Sequence, residues 1–206
     1  MKKGKTIIFI SFILFLSCNS SKKEYKKYCE LFIDSYNSLN YEKINSEYNK
    51  KEISNTYHYL DKMIEYNKSS NEKHFFDLLK FRLLLIEGKY FDAITSLEEI
   101  KDINPMMYYF YIAATYEIMQ NNISSLENYN ISLSECDDSD FCTLIDFFIH
   151  NNFNTFLNNL EQKMPSAYTY YNMLKTRMSE TEIRKKILID KIFHSYRIPN
   201  LPEVYK

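Results

Sequence analysis

Cys136 and Cys142 bracket an acidic segment, Asp137-Asp138-Ser139-Asp140-Phe141. Outside the cytoplasm two thiols so placed could join, clamping the end of one helix to the start of the next, although sequence alone leaves their separation open. The aspartates offer oxygen ligands. A calcium loop, however, needs a glycine for its turn and a distal glutamate, and neither is present, so helix capping and solvation account for them better. His58, His74, His150 and His194 fall in no H-E-x-x-H pattern and near no cysteine pair with zinc spacing, so no metal centre is expected. Glu98, Glu99 and Asp102 read as the solvated side of a helix. Cys29 shares an apolar stripe with Tyr25, Tyr28, Phe32 and Tyr36 and reads as a buried core thiol.

Glycine gives the sharpest exclusion. The chain of 206 residues has two, Gly4 and Gly88. Phosphate-binding loops, dinucleotide fingerprints and G-x-S-x-G elbows each need several positions free of a Cβ. No nucleotide-dependent or serine-hydrolase site is therefore expected, no cofactor is implied, and the reading is noncatalytic. A formal charge of −1 gives no support for nucleic-acid binding. Tyrosine is abundant instead: nineteen residues, beside fifteen phenylalanines and no tryptophan. It combines a large rigid face with a hydroxyl tip, which suits a binding surface. Most of these rings must pack between helices. Tyr108, Tyr109, Tyr116 and Tyr129 are the candidates for lining a concave partner groove.

The elements that hold these residues begin with an address. Lys2, Lys3 and Lys5 precede an apolar run, Ile7 to Leu16, too short to span a bilayer comfortably, and Ser17-Cys18 closes it. This layout resembles a bacterial lipoprotein signal, with Phe15 standing where leucine is usual. The resemblance implies cleavage before Cys18, acylation of Cys18, and anchoring by two or three acyl chains. Residues 1–17 would be the signal and 18–24 the acylated cysteine with a polar tether. The four lysines of residues 19–28 read as a solvated tether, with weak attraction to anionic headgroups as the alternative. Asn19, where an aspartate typically retains lipoproteins on the inner membrane, favours the outer one. Cleavage would remove three lysines and leave 189 residues at a formal charge of −4.

The remainder predicts an all-α chain. The apolar spacing and caps give helices over 23–38, 41–67 (with a break near 50–55), 72–87, 90–102, 105–120, 124–135, 140–150, 153–163, 166–178 and 180–196. Asn104-Pro105 has the form of an N-cap before a first-turn proline. Ser69 with Glu72, Ser124 with Glu127, and Ser179 with Glu182 have capping-box spacing. Asp140 is placed to cap a helix from Phe141. Residues 81–86, FRLLLI, are apolar nearly all round, as in a helix packed on more than one side.

Gly88, Tyr90, Ala93, Ile94, Leu97, Ile100 and Pro105 together look like the second half of a tetratricopeptide repeat. A weaker copy continues through Tyr111, Ala114 and Ile118, with Asn121-Asn122 at its turn, and a third surrounds His150 to Phe156. The resemblance implies a right-handed solenoid of about five antiparallel helix pairs over 25–196, followed by a tail, 197–206. Such arrays bind proteins or peptides. The expected function is a lipid-anchored, noncatalytic envelope adaptor that binds a protein or peptide partner, with envelope assembly as a candidate role. An envelope immunity or inhibitor protein directed at a toxin or hydrolase is the alternative. An enzyme or small-molecule receptor, which would need a deep polar pocket, is the weaker third reading.

Overall fold

The computed structural model describes residues 22–41, 43–67 and 73–194. The signal, Cys18, Asn19, the Ser69–Glu72 start and the tail from 197 lie outside them. The described residues form helices with no strand: α1 (22–37), α2 (Glu47–Tyr66), α3 (Lys73–Glu87), α4 (Tyr90–Ser96), α5 (Pro105–Ile118), α6 (Asn122–Ser134), α7 (Ser139–His150), α8 (Phe153–Lys163), α9 (Pro165–Lys175) and α10 (Glu180–Ile189). A short 3-10 turn, Glu98–Ile100, follows α4, and a π turn, Asp190–His194, follows α10. The chain divides into two compact units after Gly88.

In the first unit α1 spans residues 22–37, close to the expected 23–38. Cys29, Phe32 and Tyr36 of α1 are buried, as are Leu60 and Met63 of α2. Ser35 and Thr56 hydrogen-bond between these helices at 2.6 Å. All of residues 81–86 are buried, including Arg82, as expected for a helix packed on several sides.

The helix expected from 41 starts instead at Glu47, and no break occurs near 50–55. The reason lies in Asn49. Its side chain accepts from the Asn40 backbone N–H at 2.9 Å and donates to the carbonyls of Asn40 and Lys43 at 3.0 Å each. Those bonds tie Asn40 and Lys43 to the first turn of α2, in a geometry that a helix running on from 41 would break.

Gly88 ends α3 with φ +77°. A Cβ there would come within 3.0 Å of the Asn45 Cβ as well as strain the backbone. Gly88→Val is expected to destabilise the chain by roughly 1–2 kcal/mol or more, read as a lower denaturant midpoint.

The second unit buries Ala93, Leu97, Phe110, Tyr111, Ala113 and Ala114 from its first helices. Asn104 caps α5 by accepting from the Met107 N–H at 3.0 Å, with Pro105 at the first turn. Ser179 and Glu182 form the expected capping box, and the Ser179 hydroxyl and backbone hold the Glu182 carboxyl below its usual range. Several starts and ends differ, α10 among them, which gives way to the π turn after Ile189. Helix α4 stops at Ser96, since Leu97 turns the chain into the 3-10 segment rather than continuing to 102. Asn121, not Ser124, caps α6, accepting from the Ser124 N–H at 3.3 Å. Asp138, not Asp140, caps α7, where its Oδ1 accepts from the N–H groups of Asp140 and Phe141. In both cases an Asx side chain earlier in the loop reaches the orphan donors first.

The left-handed turn expected at Asn121-Asn122 falls one residue earlier, at Gln120 with φ +61°. Asn151 takes the same conformation, φ +50°, at the end of α7.

Candidate functional site

Phenylalanines and tyrosines from α5 to α8 stack through the second unit. The Phe110 ring lies 5.0 Å from that of Phe141 and 5.8 Å from that of Tyr129. Tyr129 stacks on Phe148 at 5.3 Å, and Phe147 on Phe156 at 4.7 Å. Such pairs stabilise a core beyond their area burial.

At one end of this stack the packing opens into a cleft of about 210 Å³ between α7, α8 and α9. Phe141, Leu144, Phe156, Leu160, Ala167 and Tyr171 give it an apolar lining. Helix α9 explains the opening. Its first residues carry proline and small or polar side chains, and none of its residues is fully buried. Met164, at its N-terminal edge, lines the cleft and is 38% exposed. Asp138, Asp140 and Lys191 supply the charged groups of the lining.

Burial raises the Tyr171 hydroxyl first, with the Asp190 charge and Tyr170 adding to it, to about 12. Tyr129 and Tyr108 are also raised, burial being the largest cause in each, and Glu117 and Glu98 reinforcing it. All three stay neutral in the fold above the pH at which an unfolded chain ionises them. Stability is therefore expected to fall as pH climbs from about 10 toward 12, which a pH series of thermal melts with tyrosine absorbance reads directly.

Cys136 and Cys142 are joined in a disulfide, with their Cα atoms 5.8 Å apart. The bond closes the loop that carries Asp137, Asp138 and Asp140, so the acidic side of the cleft is fixed covalently to the start of α7. Cys29 is buried in the first unit, as its apolar stripe implies.

The tyrosine groove is corrected by burial. Tyr129 is 1% exposed and donates its hydroxyl to Glu117 Oε2 at 2.9 Å, so it offers no face to a partner. Tyr108 is 8% exposed and packs edge-on against Tyr109. Tyr109 and Tyr116 keep partial exposure, but on α5 they stand apart from the cleft lining. Of the repeat-signature residues, Ala93, Leu97 and Ile100 are buried, while Tyr90 and Ile94 are half-buried. His58 and His150 are exposed, the latter 3.4 Å from Asp146, and His74 is half-buried.

Sequence reading missed Arg184. From α10 its Nε reaches Glu117 Oε1 at 2.7 Å and one Nη reaches Oε2 at 2.9 Å. The same guanidinium donates to the Phe148 carbonyl at 2.9 Å and lies 4.6 Å from the Phe148 ring centroid. It thus ties α10 to α5 and to the C-terminal end of α7. The partners are 67 residues apart, and no local spacing announces such a pair.

Among the described residues no helix is long and apolar enough to cross a membrane. Comparison with protein-family models, with curated proteins and with solved structures finds no match to this chain.

Proposed function

We propose that this chain is a membrane-anchored, noncatalytic lipoprotein of the cell envelope whose helical-repeat domain binds a protein or peptide partner. The observation that carries the binding reading is the cleft between α7, α8 and α9. At about 210 Å³ it is smaller than the roughly 300–1,000 Å³ of pockets that enclose a drug-sized ligand. It has room for a side chain or two from a larger partner, the anchor-in-pocket arrangement from which interfaces draw most of their affinity.

The repeat reading is supported by register. Helices α3, α5 and α7 start at 73, 105 and 139, and α4, α6 and α8 at 90, 122 and 153. Each of the latter follows a left-handed residue by two positions: Gly88, Gln120 and Asn151. These steps of 31 to 34 residues are those of tetratricopeptide-like pairs, and a right-handed solenoid of antiparallel pairs is their simplest arrangement. The Cys136–Cys142 bond favours an oxidising compartment, in keeping with export and with an outer-membrane anchor at Cys18.

The test is co-purification. Ala167→Leu fills the cleft from α9. A tagged wild-type chain extracted in mild detergent is expected to retain a stoichiometric protein partner that the variant loses, with thermal melting of the two chains matched. A partner retained equally by both would remove the cleft from the account.

A further inference from the structure

The cleft has an acidic character that constrains its occupant, and the inference drawn from it rests on the binding role proposed above. We infer that the partner inserts an apolar side chain with a lysine or arginine beside it. The apolar half follows from the lining, where Phe141, Leu144, Phe156 and Leu160 leave an inserted polar group without partners. The basic half follows from the charges. Asp138 and Asp140 line the cleft and Asp137 adjoins them on the same loop, against one cation among the described lining residues, Lys191.

Asp138 spends Oδ1 on the α7 N-cap, and the positive end of that helix offsets part of its charge. Asp137 and Asp140 are exposed and make no such cap, so among the described residues the lining stays net negative. The disulfide holds these carboxylates in place before any partner arrives, which lowers the ordering cost of pairing them with a cation. A purely apolar occupant, such as an acyl chain, would cover the carboxylates without compensating them. An acidic segment would be repelled, and its encounter slowed.

Random twelve-residue peptides displayed on phage, panned over the detergent-solubilised mature chain, test this directly. The expected enrichment is an aliphatic or aromatic residue with Lys or Arg within two positions. Synthetic versions of the enriched peptides should bind roughly tenfold more weakly to an Asp137→Asn, Asp140→Asn double variant, which leaves the Asp138 cap intact, and more weakly still to Ala167→Leu. Enriched peptides that lack a cation, or that bind the double variant unchanged, would overturn the charge assignment while their loss with Ala167→Leu kept the cleft reading. Absence of enrichment, or binding indifferent to Ala167→Leu, would overturn both.

Discussion

Arg184→Ala is expected to lower the unfolding free energy by about 2–4 kcal/mol at neutral pH. The guanidinium makes a two-pronged contact with Glu117 and also satisfies the Phe148 carbonyl at the end of α7. Both ionic partners are mostly covered, with side-chain exposures of 17% for Arg184 and 20% for Glu117. Removing Arg184 therefore leaves the Glu117 carboxylate poorly solvated, with the Tyr129 hydroxyl as its one remaining donor among the described residues. An exposed ion pair would contribute far less, about 1 kcal/mol or below. Arg184→Lys should recover only a minor part, because an ammonium cannot reproduce the planar fork. Urea denaturation of the three chains checks the order, and equal midpoints for wild type and Arg184→Ala would refute it.

Cys18→Ala carries the second large effect. If Cys18 is acylated, its two or three chains each contribute about 0.8 kcal/mol per buried CH₂, so their loss should abolish stable anchoring. Labelling cells with radioactive palmitate separates acylation from retention by an uncut signal. The expected result is a labelled wild-type chain in the membrane fraction and no label on the variant. Label on the variant, or an unlabelled wild-type chain, would refute the lipoprotein proposal.

Much of the fold was legible because local rules agree with packing. The Asn104-Pro105 start and the Ser179–Glu182 box depend on residues within one turn, and both are present. Gly88 was legible for the same reason, since a left-handed helix end favours glycine. Errors arose where an equally good capping residue lay a little earlier, as with Asn121 and Asp138. The late start of α2 was hidden because Asn49 acts through side-chain bonds that helical periodicity does not register.

The site was less legible. Phe156 and Leu160 are recognisable as an apolar stripe, but the opening beside them arises from what α9 lacks, a fully buried residue. The dense tyrosines pointed to α5 and α6, where Tyr129 turned out to be a core ring holding Glu117. Composition cannot separate a tyrosine that binds a partner from one that fills a core. The tie between Arg184 and Glu117 depends on tertiary packing alone.

The account's central claim is that a partner occupies the cleft in the cell. A photo-crosslinking amino acid in place of Met164, which lines the cleft and is 38% exposed, reads this most directly. The account predicts one dominant protein adduct on illumination of intact cells, with its yield cut about tenfold when Ala167→Leu is added. No adduct from that position, or an adduct of unchanged yield in the filled cleft, would contradict it.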